Sequence, residues 1–210
     1  MVLVTSLVGL EDAFFEKRAL LLPEEKRRQL SAIKNVKSIK ETTLAWLLLR
    51  RALGMKSDEK FPPLSFSDRG KPCFENSEVR FNLSHSSSMV CAAVSDKEEI
   101  GVDVQKKSFF SEKVKKRVFC TAEIKSGEAY SDPDLYFTRL WAIKESYLKQ
   151  TGVGIAFDFR TLDFSKECRK SYFEKNGLCY TVKKIESYCF SVCTTKKGKQ
   201  EFINVPALSL

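Results

Sequence analysis

The stretch FTRLWAIKESYLKQTGVG, Phe137 to Gly154, carries the pattern on which the fold turns. Wound at about 100° per residue, it places Phe137, Leu140, Trp141, Ile143, Tyr147 and Leu148 on one broad arc, as expected of a helix packed on a core. Lys144 falls near the middle of that arc, Glu145 at its edge, and Lys149 one turn beyond Glu145. Glu145 and Lys149 alone would pass for a surface pair worth about 0.2–0.5 kcal/mol. Lys144 could run its ammonium out past an apolar stem. Three charges at the edge of a packing face point instead to a helix that borders a cleft.

Outward from this helix the chain repeats itself. Trp46 in TLAWLLLRRALG (43–54) matches Trp141 in TRLWAIKESYLKQTG (138–152), and VCAAVS (90–95) matches YCFSVC (188–193) at a similar offset. This predicts an α+β protein of two pseudo-symmetric α/β halves, 1–100 and 101–210, forming one compact unit. No long Gly/Pro/Ser linker separates them, so a packed interface with a shared cleft is expected. Residues 2–8 read as a strand. LPEEKRRQLSAIKNVKSIKETTLAWLLLRRALG reads as two helices, with Pro23 in a first turn and Gly54 as C-cap. LSFSDRGKPCF reads as a turn between short extended pieces, and VRFNLSHSSSMVCAAVSDKEEIGVDVQ as three strands. SEKVKKRVFCTAEIKSGEAY reads as a helical stretch, and FDFRTLDF, LCYTVKKI and YCFSVCTT as strands.

The 210 residues, 43% apolar and 30% charged, have the composition of a soluble globular protein. The longest strongly apolar uncharged run, TTLAWLLL, is too short to span a bilayer. The N-terminus has no basic region before acidic residues arrive, so no signal peptide is expected. Seven cysteines without a C-x-x-C argue against a disulfide framework or zinc site and for reduced thiols in the cytoplasm. The net charge of +9 favours anionic partners, from nucleic acid to an acidic protein.

Four short motifs carry the candidate chemistry. In IGVDVQ (100–105), strand alternation sends Ile100, Val102 and Val104 one way and Gly101, Asp103 and Gln105 the other. On this reading Gly101 keeps the approach to Asp103 open. Residues two apart on a strand lie roughly 6.6 Å apart, close enough for two oxygen-bearing side chains to converge on one cation. FNLSHSSS holds the chain's single histidine, His85, and RGKP places Arg69 and Lys71 in a tight turn. No P-loop, Rossmann fingerprint, nucleophile elbow, RNP motif or C₂H₂ spacing is present. Each motif alone fits an ordinary structural role; their order does not.

Gly70-Lys71-Pro72, Phe81-Asn82-Leu83-Ser84-His85-Ser86, Gly101-Val102-Asp103-Val104-Gln105 and Trp141 through Lys149 together resemble the 4′-phosphopantetheinyl transferase family, of the larger Sfp-like type. Its motifs are G-K-P, F-N-x-S-H-S, G-[IV]-D-x-E and [FW]-x-x-K-E-[AS]-x-x-K. The match is strong over roughly 70–154 and looser before it. The resemblance implies a Mg²⁺-dependent enzyme, a holo-acyl-carrier-protein synthase. It would move the phosphopantetheine arm of coenzyme A to a serine of an acidic apo acyl or peptidyl carrier protein, releasing 3′,5′-ADP, with its active site between two pseudo-symmetric halves. It implies Asp103, Gln105 and Glu145 around the metal and Glu145, Lys144 and Lys149 at the reacting phosphates. Lys71, Ser84 and His85 would grip coenzyme A, with Lys26, Arg28 and Arg50 as further candidates. Gln105 stands where the family has a carboxylate, which leaves direct ligation and ligation through water as alternatives. Basic residues of 111–124 (Lys113, Lys115, Lys116 and Arg117) fall where the family docks its carrier. A cytoplasmic monomer binding neither nucleic acid nor membrane is the expectation. The competing readings are a basic nucleic-acid-binding module and a Mg²⁺ nuclease.

Overall fold

The computed structural model describes residues 1–154 and 156–210. The chain opens with β1 (Val2–Ser6), followed by helices α1 (Asp12–Arg18), α2 (Glu24–Ser31) and α3 (Val36–Ala52). Strands β2 (Leu64–Phe66) and β3 (Pro72–Phe74) form a small ribbon, and β4 (Arg80–Ser86), β5 (Met89–Ser95) and β6 (Ile100–Lys106) follow. Then come α4 (Glu112–Val118), α5 (Thr121–Glu128), α6 (Pro133–Thr151), β7 (Tyr172–Lys175), β8 (Leu178–Ile185), β9 (Tyr188–Thr194) and β10 (Phe202–Asn204). Gly152, at φ 67°, ends α6 in the left-handed conformation that glycine adopts without steric cost.

Two four-stranded sheets result, ordered β10-β1-β5-β4 and β6-β9-β8-β7. Each contains the same unit. A first strand leads to a long helix, and a hairpin then returns so that its second strand pairs antiparallel with the first. In one unit these are β1, α3 and β4–β5; in the other, β6, α6 and β8–β9. Trp46 and Trp141 sit on the two equivalent helices, and the two matched cysteine-bearing hexapeptides are the equivalent strands β5 and β9.

One apolar cluster lies between α3 and the first sheet, around Trp46, Leu48, Phe74 and Phe81. A second surrounds α6, with Phe137, Leu140, Ile143 and Phe164. A third joins the two sheets, where Val2, Val4 and Cys91 meet Val102, Val104 and Phe190.

Three expectations are corrected. The last residues do not stay in the second half: β10 pairs parallel with β1, and Phe202 packs on Phe190 in the middle cluster. FDFRTLDF is not a strand. Its centre is a 3₁₀ turn, Phe159–Thr161, and the alternating apolar residues serve the core from that turn. SEKVKKRVFCTAEIKSGEAY is two helices, because Phe119 and Cys120 adopt extended backbone between them.

The halves meet along a seam. β6 is an edge strand, and the edge amides facing the first half find side chains as acceptors. Asn82 Oδ1 accepts from the Val102 amide at 2.9 Å, Ser84 Oγ from Val104 at 3.3 Å, and Ser86 Oγ from Lys106 at 3.1 Å. Side chains on alternate residues of β4 thus stand in for a strand.

Gly101 has a different role from the one its motif suggested. A Cβ there would sit 2.1 Å from the Ser146 carbonyl oxygen and 2.4 Å from the Gln150 amide nitrogen. It admits helix α6, not a ligand. Both obstructing atoms are backbone and cannot swing aside. Gly101→Ala should therefore cost about 3 kcal/mol or more in a urea melt. A loss under about 1 kcal/mol, the scale of an ordinary substitution, would contradict this contact.

Candidate active site

Asp103 stands at the seam with only 1% of its surface exposed. Its Oδ1 accepts from Ser84 Oγ at 2.8 Å and from Lys149 Nζ at 2.5 Å, and its Oδ2 accepts from Gln105 Nε2 at 2.8 Å. One carboxylate thus ties β4, β6 and α6 together. Burial acts to lower the Lys149 pKa, but the charge and hydrogen bond of Asp103, with help from Glu145, reverse this, and the net shift is upward. Lys149 is therefore a fixed cation.

Glu145, one turn before Lys149 on α6, is pushed up to about 7. The chief cause is burial, which strips its hydration; the second is the negative charge of Asp103, with Lys149 acting in the opposite direction. Glu145 thus feels both the Asp103 carboxylate and the Lys149 ammonium, while Lys149 bonds to Asp103. A cavity of about 250 Å³ opens here, lined by Arg69, Lys71 and Asn82 from the first half and by Glu145 and Lys149 from α6. A neighbouring cavity of about 510 Å³ shares Lys71 and Pro72 and extends to Arg80 and Glu99. Lys71 Nζ lies 2.7 Å from Glu99 and 3.3 Å from the Ile100 carbonyl oxygen.

The other site residues expected from the sequence divide into two groups. His85, on the opposite face of β4 from Ser84, keeps 40% of its side chain exposed and lies with Nδ1 3.1 Å from Glu41 Oε2. Lys26 sits over the rings of Phe66 and Trp46, at 5.2 and 5.7 Å, and burial lowers its pKa. Arg28 is exposed on α2 and pairs with Glu24 at 3.3 Å.

Three residues are engaged elsewhere. Lys144 does not face the cleft. Its ammonium is fully buried, 2.6 Å from Glu123 and within 3.1 Å of the carbonyl oxygens of Val118, Phe159 and Leu162. This is what its place in the apolar arc means: it reaches inward to a carboxylate, pinning α5 and the 159–162 turn onto α6. Burial lowers its pKa, opposed by Glu123. Arg50 is likewise buried, its guanidinium 2.7 Å from the carbonyl oxygens of Glu59 and Lys56. Ser84 donates to Asp103 and accepts from Val104 and Lys149, which uses its hydroxyl within the seam.

Sequence reasoning missed Glu123, Asn82 and Glu41. Glu123 had a legible signal: the order C-T-A-E resembles a capping box, and its carboxylate does accept from the Cys120 amide at 3.0 Å. Asn82 lay inside a quoted motif, but its acceptor role depends on a strand from the other half.

The donor set at the seam has the oxygen chemistry of a hard divalent cation site, and a cation there would take the place of Lys149 and Gln105, which occupy the two oxygens of Asp103. Asp103 and Glu145 supply carboxylates, Gln105 an amide, and the raised Glu145 pKa marks charge that a cation would relieve. Among the described residues, Cys120, Glu123 and Asp163 also approach one another like metal ligands. There the Lys144 ammonium already holds Glu123, and the Phe164 amide donates to its other oxygen at 2.9 Å. That cluster is a structural network.

Comparison with known proteins finds similarity over the same part of the chain. The model of the 4′-phosphopantetheinyl transferase superfamily matches residues 99–196, which span β6, α6 and the second hairpin. The 4′-phosphopantetheinyl transferase Sfp of Bacillus subtilis is 31% identical over 152 residues, covering 67% of this chain and 65% of that protein. Over residues 99–196 the chain is similar to the 4′-phosphopantetheinyl transferase superfamily. The L-aminoadipate-semialdehyde dehydrogenase-phosphopantetheinyl transferase of Mus musculus is 26% identical over 161 residues, covering 68% of this chain and 52% of that protein. HetI of a Nostoc species, named a 4′-phosphopantetheinyl transferase, is 36% identical over 99 residues, 43% of this chain and 42% of that protein. The chain thus spans under two thirds of the length of these relatives. Among the described residues no helix is long and apolar enough to cross a membrane.

Two outcomes follow for the site. Lys144→Met leaves Glu123 buried without its ammonium and should destabilise the protein by about 3–5 kcal/mol; an unchanged melting curve would contradict the buried pair. For Glu145, the native carboxyl binds a proton that the unfolded chain releases as pH climbs from about 4.5 to about 7. Native stability therefore falls across that window. In metal-free protein, Glu145→Gln should melt like wild type below pH 4 and be more stable by about 2–3 kcal/mol at pH 8. Parallel stability curves for the two proteins would contradict the raised pKa.

Proposed function

We propose that this protein transfers the 4′-phosphopantetheine arm of coenzyme A to the serine of an acidic apo carrier protein, with Mg²⁺, releasing 3′,5′-ADP. The observation that carries this reading is a cavity lined by Glu145, Lys149 and Lys71, with the buried Asp103 carboxylate bonded to Lys149 just behind it. Phosphoryl transfer needs positioning and neutralised charge more than covalent help from the protein.

In this reading Asp103, Glu145 and Gln105 would hold the magnesium ion. When bound, the ion supplies Lewis-acid stabilisation of charge on the phosphate oxygens. Lys149 keeps a fixed positive charge at the site, and Lys71 and His85 grip the nucleotide phosphates. The carrier serine oxygen bonds to the phosphorus bearing the pantetheine arm, and the anhydride bond to 3′,5′-ADP breaks. The serine proton leaves to Glu145 or to water. No covalent enzyme intermediate is required. Gln105 donates to Asp103 through its amide and brings no charge, so the site has one carboxylate fewer than the family pattern.

The carrier docks on α4 in this proposal. Val114 on α4 is 41% exposed beside the exposed Lys113, Lys116 and Arg117, and Phe109, in the segment leading into the helix, is 77% exposed. Lys115 belongs to the fold instead, folded over the Phe137 ring and bonded to Glu112. The protein acts in the cytoplasm, as a monomer, since one chain carries both halves of the site.

The test is to incubate the protein with coenzyme A, Mg²⁺ and an apo carrier protein and to weigh the carrier. The expected result is a mass gain of one phosphopantetheine, lost in Asp103→Ala. Salt-sensitive DNA binding with no such gain would favour the nucleic-acid-binding alternative. With activity in hand, Gln105→Glu should reach half-maximal rate at lower Mg²⁺ than wild type, and coincident titrations would remove Gln105 from the metal site. The carrier KM should also rise with ionic strength, less so once Lys113, Lys116 and Arg117 are neutralised.

A further inference from the structure

The motif FNLSHS has two faces. Asn82, Ser84 and Ser86 turn to the seam, while His85 points the other way and meets Glu41 on α3. Glu41 is an unusual neighbour. Its side chain is 8% exposed, and its Oε2 lies 3.1 Å from His85 Nδ1. Its other oxygen is 3.7 Å from Lys37 Nζ, a lysine 65% exposed, which is too long for a hydrogen bond. A buried carboxylate is costly unless it is well partnered, and the imidazole stands closer to it than the lysine does.

We infer that Glu41 is a positioning residue for His85. The carboxylate accepts a hydrogen bond from Nδ1–H and fixes the ring, so that the protonated ring turns its Nε2–H to a phosphate oxygen of coenzyme A. A histidine's tautomer is set by the bond its other nitrogen makes. Without the carboxylate a neutral imidazole prefers its proton on Nε2 and turns freely. Imidazolium facing a phosphate is a good donor only if the ring is held, and α3 holds it through Glu41. The phosphate half of this inference rests on the coenzyme A reading above; the Glu41–His85 link does not.

His85 is the only histidine in the chain, so its ring signals need no assignment. Long-range ¹H–¹⁵N spectra of ring-labelled protein at about pH 9, above the ordinary histidine range, report which nitrogen carries the proton. Wild type should carry it on Nδ1. Glu41→Met should move it mainly to Nε2, and Glu41→Gln, whose amide oxygen still accepts, should keep it on Nδ1. Calorimetry with coenzyme A on the same proteins should show affinity about tenfold lower in Glu41→Met, with Glu41→Gln nearer wild type. A wild-type proton on Nε2, or a Glu41→Met spectrum identical to wild type, overturns the link. A shifted tautomer with unchanged coenzyme A affinity overturns the positioning role. If coenzyme A fails to bind wild type while the Nδ1 proton is in place, the coenzyme A reading fails and the link stands.

Discussion

The structure depends on an edge strand that must find partners for its amides. β6 pairs with β9 on one side, and on the other its amides turn to Asn82, Ser84 and Ser86. A strand pairing there would merge the two sheets into one. Side chains instead set the halves apart by the length of an asparagine or serine, and that offset leaves room at the seam for Asp103 and Lys149. Joint and site are built from the same residues. Ser84 shows this most plainly, since its hydroxyl serves the Val104 amide and the Asp103 carboxylate together.

Helix α6 supplies two ammonium groups to two carboxylates, and the two pairs do different work. Lys144–Glu123 is closed, with side chains at 0% exposure and every lysine proton matched by an acceptor within the core. It ties α5 and the 159–162 turn to α6 and thereby sets the surface on which α4 stands. Lys149–Asp103 is open on one side, with 26% of the lysine side chain exposed at the cavity. Burial and partners determine which cation can meet a ligand; the spacing along the helix does not.

Much of this was legible in the sequence. The paired tryptophans and the two cysteine-bearing strands reveal the duplicated unit, because a repeated core leaves a repeated apolar pattern. The motifs locate Asp103, Glu145 and Lys149, whose convergence depends on a strand and a helix that the same residues specify. What could not be read depended on long-range geometry. Lys144 and Lys149 are both lysines near one face, and only the position of α5 turns the first inward. Gly101 invites a ligand on paper, whereas in space it admits the backbone of α6. Arg50 reads as a phosphate contact until the 56–59 segment folds over it. Strand β10 has three residues, and its place beside β1 follows from where the chain returns, not from any local preference.

The seam is the claim on which the rest stands, and amide hydrogen exchange measures it most directly. In the free protein the amides of Val102, Val104 and Lys106 should be protected to the same degree as those of the central strand β9, although no strand pairs with them. Exchange at the rate of a solvent-facing edge strand would mean that the two halves are not held by the Asn82, Ser84 and Ser86 side chains, and the account of the site built upon them would fall.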